Sequence, residues 1–292
     1  MPTYSARIIV LKKTKLAEMD LIVTGFNSDG QQLRLVVKGG RKPGSRRGSH
    51  LELFCQTDIV MHLGRSSMYT VTEAQLVNPH SGCRLDIEHS AAAAAISELV
   101  EVLSREADAE PRLFLLLEAA LDTLEKTAIA GLELMVAAAL LKIIAQVGFQ
   151  PNLESCLVCG IPFEADKPNA LLADEQVEQA EQAQSGGYFS SVNTATSSQA
   201  PAFYFSFEQG GIICADCQAF DQSSTAAPAV QPALLNWVAL LIKSRFSQLA
   251  EFADAQHQAI GHLLLLFARD WMRAQVTPKN RSLDFMLNLP AS

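Results

Sequence analysis

A chain of 292 residues, 49% hydrophobic and 18% charged, has the composition of a globular protein of about two ordinary domains and not of a disordered segment. Its formal net charge of −8 excludes a uniformly basic nucleic-acid binder, yet the charge is unevenly spread. The first fifty residues hold ten Lys or Arg and only three acids, a surplus of seven, while the remainder carries −15.

A polyanion should therefore be held at the amino-terminal end and repelled by the rest. No run of about 18 apolar residues is uninterrupted. The most apolar stretch, 132–147, carries Glu133, Lys142 and Gln146 and reads as a buried helix, so no membrane partner is expected. Met1-Pro2-Thr3-Tyr4 lacks the charged lead and apolar core of a secretory signal. Six cysteines, four of them in CxxC pairs, suit a reducing cytoplasm better than a disulfide framework.

Residues 1–80 read as β. Short aliphatic or β-branched runs occur at 7–11, 21–26 and 33–37, and the last alternates Leu33, Leu35 and Val37 with Arg34, Val36 and Lys38. Ser28-Asp29-Gly30 is a hairpin signal between the second and third runs. Two more runs, 51–63 and 68–77, flank Gly64-Arg65-Ser66. Five short strands with little helical pattern between them suggest a small barrel of the OB type. From Asp86 the pattern turns helical at 91–103, 113–124 and 132–147, and Gly148 with Pro151 stops the third. After the cysteine segment, helical spacing resumes at 234–246 and 260–272. The expected fold is thus α+β and multidomain: an OB barrel at 1–80, a helical domain from 81–155 and 218–292, and a cysteine element at 156–217. Within that element, 165–201 is a polar insertion rich in Glu, Gln, Ser and Thr, unable to bury much surface.

Cys156-Leu157-Val158-Cys159 and Cys214-Ala215-Asp216-Cys217 supply four thiolates in two CxxC turns, the donor set of a closed tetrahedral Zn2+ site. Such a zinc is structural, because four sulfurs leave no position open for water. The long intervening segment is no bar, since each doubling of loop length costs only about 0.6 kcal/mol. A deaminase-type zinc needs a His-x-Glu element, which does not accompany these cysteines. Cys55 and Cys83 read as small buried apolar residues.

The stretch 38–48 mixes Lys38, Arg41, Lys42, Arg46 and Arg47 with four glycines and Pro43. Glycines let backbone N–H groups approach phosphate while the cations supply charge. It is not a P-loop: Gly39 and Gly44 have the spacing, but Ser45 stands where the phosphate lysine must be. Arg7, Lys12, Lys13 and Lys15 form a second group of candidate phosphate contacts. Phe26, Phe54 and Tyr69 fall in the expected strands, where they either stack on bases or fill the barrel. The six histidines, His50, His62, His80, His89, His257 and His262, are scattered, and none is expected to pair with a nucleophile or a metal partner.

Taken in order, several of these pieces resemble the RecO family of bacterial recombinational repair. Glu18-Met19-Asp20 looks like its E-x-D element. Residues 37–46, from Val37 to Arg46, are similar to its K-G-x-R-x-x-x-S-R loop, and Leu51-Glu52-Leu53-Phe54 follows as in the family. Residues 148–160 resemble its G-[FY]-x-P-x-L-x-x-C-x-x-C-G element, Phe207 to Cys214 its partner, and Arg281-Ser282-Leu283-Asp284-Phe285 a family-like end. The resemblance implies an OB domain, a helical domain and a zinc element. It also implies a non-enzymatic mediator that binds single- and double-stranded DNA, anneals complementary strands and is nucleoid-associated. Its implied partners are RecR, the acidic C-terminal tail of single-stranded-DNA-binding protein and, indirectly, RecA. The insertion at 165–201 is longer than the family's usual knuckle. Two rival readings remain from the residues alone: a zinc-dependent enzyme acting on nucleic acid, and an OB-fold adaptor that binds protein.

Overall fold

β1 (Thr3–Lys15), β2 (Leu21–Asn27), β3 (Gln32–Val37), β4 (Gln56–Leu63) and β5 (Tyr69–Asn78) close into a barrel in the order β1-β2-β3-β5-β4. Closure depends on the thirteen-residue β1, which pairs antiparallel with β4 along Thr3–Ile9 and with β2 from Ile8 onward. Every pairing is antiparallel except β3 with β5. A register shift between Val10 and Lys12 bends β1 at the point where it changes neighbours. The computed structural model describes residues 2–64, 68–104, 109–163, 203–220, 227–277 and 279–290, so the insertion at 165–201 lies outside the described residues.

Alternation fills the barrel: Ile8, Val10, Leu21, Val23, Leu35, Val37, Leu51, Ile59, Met61 and Val71 form one buried cluster. Each such side chain contributes about 1.5–3 kcal/mol on burial. The Ser28-Asp29-Gly30 turn forms as expected, with Gly30 at φ +82° and its backbone pressed against that of Glu110. The run expected at 51–63 is shorter. Residues 51–55 turn instead, with Phe54 at φ +69°, and β4 begins only at Gln56. The apolar side chains of 51–54 follow a turn that caps the barrel, a role that local strand pattern cannot distinguish from strand.

Two compact units emerge, one spanning Met1–Ile129 with Asn280–Ser292 and the other Ala130–Lys279. This division differs from the sequence-based one, because the expected helical domain is shared between the units. In the first unit, the basic stretch contains a short helix, α1 (Arg46–His50), that the sequence pattern did not suggest. α2 (Ile87–Leu103) starts at the N-cap Asp86, whose side chain accepts from the His89 N–H, and buries four alanines that permit close packing. α3 (Pro111–Leu124) begins with proline at its first position and lays Phe114 against Phe26 of β2, ring centroids 6.4 Å apart.

The second unit is built on α4 (Leu132–Gln146), whose 18-residue window Ile129–Gln146 is the one described helix long and apolar enough to cross a membrane and is 67% buried. β6 (Phe203–Ser206) and β7 (Gly211–Cys214) form a hairpin that leads into α5 (Ala215–Phe220). α6 (Pro232–Lys243), α7 (Phe246–Leu249) and α8 (Gln258–Gln275) follow, so the expected helix at 234–246 is broken at Ser244. Gly261 lets α8 approach α4, since a Cβ there would lie 3.1 Å from the Leu134 nitrogen. Lys142 donates to the carbonyls of Ile242 and Ser244 and so ties off the end of α6. Burial pushes its pKa down to about 8, which leaves it cationic at neutral pH.

The chain then returns to the first unit with α9 (Arg281–Leu287). Asn280 caps α9 through the Leu283 N–H and donates to the Ala95 carbonyl of α2. Glu98 of α2 accepts from the Arg281 and Ser282 N–H groups at 3.1 and 2.9 Å. Burial would raise the Glu98 carboxyl, but these bonds hold it below its ordinary value.

Candidate nucleic-acid interface and metal centre

The basic stretch is held in shape by backbone bonds to the turn between β1 and β2. Gly39, at φ +66°, donates to Asp20 Oδ1 at 2.8 Å, and the Arg41 N–H donates to the Met19 carbonyl at 3.0 Å. Arg41 Nη1 reaches the carbonyls of Glu18 and Ala17 at 2.8 and 3.3 Å. Glu18-Met19-Asp20 thus clamps the loop, which gives that element a structural task. Ser45, the residue out of place for a P-loop, caps α1 by accepting from the Gly48 N–H at 3.1 Å. Gly48 itself touches Gly40: a Cβ there would come within 2.0 Å of the Gly40 carbonyl oxygen.

Lys38, Arg41, Lys42, Arg46 and Arg47 are all exposed, and among the described residues none is paired with a carboxylate. Arg47 Nη1 is anchored only by the Val71 and Thr72 carbonyls, each at 3.4 Å. Lys15 joins this end of the barrel, because Lys15, Leu21 and Val37 lie in one row across β1, β2 and β3. The other three β1 cations are differently placed. Arg7 makes a two-pronged pair with Asp58, at 2.7 and 2.9 Å, across the β1–β4 ladder. That hydrogen bonding raises the Arg7 pKa and holds Asp58 below its usual range. Lys12 faces Glu101 at 3.3 Å, and Lys13 meets Glu52 at 2.6 Å.

The expected stacking residues divide in the same manner. Phe26 and Phe54 are 0% and 2% exposed, so their ring faces cannot reach a base. Tyr69 is half-buried and packs edge-on against Tyr4, centroids 5.7 Å apart, with Tyr4 44% exposed. Tyr4 went unnoticed in the sequence because it precedes the first apolar run. Tyr69 lies two residues before Val71, whose carbonyl anchors Arg47, so this aromatic pair adjoins the basic end.

In the second unit, the two CxxC turns are laced together by backbone bonds. Leu157 N–H donates to the Ile212 carbonyl at 2.8 Å, Asn152 N–H to Gly210 at 2.8 Å, and Ile212 N–H to Asn152 at 3.2 Å. Cys156, Cys159, Cys214 and Cys217 place their sulfurs within 4.8 Å of one another, with Cys159 and Cys214 Sγ 3.7 Å apart. A tetrahedron with Zn–S bonds of about 2.3 Å has sulfurs about 3.8 Å apart, so the set fits a zinc ion and is too open for a disulfide. Burial alone would raise the Cys156 thiol, but the N–H groups of Cys159, Cys214 and Val158 hold it at about 6. Hydrogen bonding to Cys214 pushes Cys217 up to about 12. A second thiolate beside the first is thus disfavoured until a cation joins them, which is the behaviour of a metal-receiving set. Cys55 and Cys83 are buried at 1% and 0% exposure, as expected.

The Recombination protein O N-terminal family model matches residues 1–80, and the corresponding C-terminal model matches 84–170. A DNA repair protein RecO from Frankia casuarinae is 38% identical over 169 residues, 56% of this chain and 67% of that protein. The chain belongs to the RecO family. Another RecO-named relative, from Desulforamulus reducens, is 27% identical over 217 residues, covering 74% of this chain and 70% of its own length. A third, from Thermobifida fusca, is 36% identical over 164 residues, 56% of this chain and 67% of the relative. The two RecO models meet at the turn after β5, inside the first compact unit.

That turn also corrects one expectation. His80 is not isolated: its ring lies with Asp122 of α3 and Glu125 at the C-cap of α3, which are far away in sequence. Only the folded approach of the turn to α3 reveals the cluster.

Proposed function

We propose that this chain is a DNA-binding mediator of recombinational repair that performs no covalent step. Family membership and the names of its relatives support a role in DNA repair. The closed five-stranded barrel, with one parallel pairing, supports reading the amino-terminal region as an OB fold. The observation that carries the proposal is the set of unpaired cations at one barrel end: Lys38, Arg41, Lys42, Arg46 and Arg47, with Lys15 beside them.

Phosphates of single- or double-stranded DNA lie against these side chains, while Tyr4 and Tyr69 offer a stacking edge to an unpaired base. Annealing follows from the same charge, since a cationic surface lowers the repulsion between two strands without reading their bases. In this reading Cys156, Cys159, Cys214 and Cys217 hold a structural Zn2+ that ties the hairpin to the end of α4. RecR, the acidic tail of single-stranded-DNA-binding protein and, through them, RecA are the partners, and the protein works in the cytoplasm at the nucleoid. Six phosphates neutralised on a single strand give a slope of log K against log salt of about −4. Fluorescence anisotropy with a labelled oligonucleotide measures it, and a salt-independent affinity would overturn the assignment. A strand-annealing assay with and without single-stranded-DNA-binding protein tests the mediator step.

A further inference from the structure

Among the described histidines His80 has an unusual environment. Its side chain is fully buried, and neither ring nitrogen has a hydrogen-bond partner. The neighbouring acids do not hydrogen-bond it: Nδ1 lies 3.5 Å from Asp122 Oδ1 and 3.9 Å from Glu125 Oε1. Elsewhere in the chain, histidines that meet an acid do so at contact distance. His89 and His257 approach Asp86 and Asp254 at 2.8 Å, and His262 approaches Glu133 at 3.1 Å. An unpaired polar atom buried this way loses its bonds to water without replacement, and a folded protein rarely retains one without a partner.

The separations have a simple geometric meaning. Ligands held at about 2.0–2.2 Å around a tetrahedral ion are about 3.4 Å apart, close to the two distances seen here. The three ligand atoms all lie within 4.8 Å of one another. Asp122 lies in the last turn of α3 and Glu125, three residues on, is its C-cap, and Gly82 brings the turn down onto Glu125. A Cβ on Gly82 would stand 2.6 Å from the Glu125 carbonyl oxygen.

An outer layer of bonds holds the donors in place. Asn78 donates through Nδ2 to Asp122 Oδ1 at 3.0 Å, and its Oδ1 accepts from the His80 N–H at 3.1 Å. One side chain therefore orients both a carboxylate and the residue that carries the imidazole. Burial lowers the His80 pKa, with Asp122, Glu125 and Glu118 opposing and Arg84 assisting, so the imidazole is a neutral donor at neutral pH.

We propose that His80, Asp122 and Glu125 form a second metal site, distinct from the four cysteines, that takes a divalent first-row transition ion through one imidazole nitrogen and two carboxylate oxygens. A nitrogen–oxygen donor set of this kind suits zinc, cobalt or manganese and differs from the all-sulfur set in softness. Asp122 is the most exposed of the three, with a side chain 43% accessible, and it provides the route for the ion and the side open to water. Bound there, the ion ties the exit of β5 to the last turn of α3 and stabilises the first unit.

The test is a Co2+ titration of the full chain whose cysteine site has first been filled with Zn2+. Visible d–d bands report Co2+ binding, and thiolate-to-metal charge transfer in the near ultraviolet reports any exchange at the cysteines. Expected is one equivalent of Co2+ per chain without charge transfer, a rise in melting temperature, and at least tenfold weaker binding in Asp122→Asn and in Glu125→Gln. Asp122→Asn keeps the test valid should substitution of buried His80 unfold the protein, because Asp122 is solvent-accessible. Absence of the d–d bands in the wild type, bands accompanied by charge transfer alone, or unchanged affinity in both variants would overturn the site.

Discussion

Two groups of cations sit in the same fifty residues and have different fates. Arg7, Lys12 and Lys13 project from β1 and are each matched by a carboxylate: Asp58 on β4, Glu101 on α2 and Glu52 in the turn before β4. Lys38 and Lys42 project from a loop and Arg46 from the first position of α1, a stretch whose backbone is held by Asp20, Met19 and Ser45, which leaves their side chains without acidic partners among the described residues. Exposed pairs such as Arg7–Asp58 add little stability, about 0–1 kcal/mol. Their consequence is that the local field is already neutralised. A count of basic residues therefore overstates the charge available to a polyanion, and geometry identifies which cations remain.

The largest expected effect is charge reversal in the loop. Lys42→Glu with Arg46→Glu should weaken oligonucleotide binding by about 100-fold or more at low salt, with an unchanged melting temperature. An affinity within threefold of wild type by anisotropy would break the comparison. Next is Gly48→Ala, which drives a methyl into the Gly40 carbonyl. It should cost about 1–3 kcal/mol in chemical denaturation and lower affinity by displacing α1. Ser45→Ala removes the α1 cap and should cost about 1 kcal/mol, with a severalfold loss of affinity from a frayed loop. Neutralising the paired group, Arg7→Gln with Lys12→Gln, should change affinity by less than about threefold.

The smallest effect concerns stability alone. Glu98 has a folded pKa below its ordinary 4.5, so its contribution is present above that value and is lost as pH falls through the lower, folded one. Glu98→Gln should lower the melting temperature at neutral pH by an amount equivalent to about 1 kcal/mol and blunt the loss on acidification, with DNA affinity at neutral pH unchanged. A loss of affinity there would mean that α9 and the basic end are coupled.

Much of the barrel could be read from sequence, because the β-branched and aliphatic run of β2, the period-two alternation of β3 and the Asp29-Gly30 turn are local signals. The four cysteines were equally legible, since CxxC spacing encodes its own geometry. What escaped was decided by contacts distant in sequence. α1 is only five residues long, too short for a hydrophobic period, and depends on Ser45 and on Gly48 meeting Gly40. Leu51, Leu53 and Phe54 are apolar side chains that suit a strand, yet Phe54 adopts a left-handed turn. The partners of Arg7, Lys12 and Lys13 lie 51, 89 and 39 positions away, and those of His80 lie at the C-terminal end of α3. Charge was visible in the sequence, but its cancellation was not.

The most direct test compares salt slopes for two triple variants of the full, zinc-loaded chain on one labelled single strand. Lys38→Gln with Lys42→Gln and Arg46→Gln should make the slope of log K against log salt shallower by about 2, since each lost phosphate contact contributes about 0.7. Arg7→Gln with Lys12→Gln and Lys13→Gln should leave it within experimental scatter of wild type. Equal slopes for the two variants, or a larger change from the β1 set, would contradict the claim that the loop, and not the strand, grips DNA.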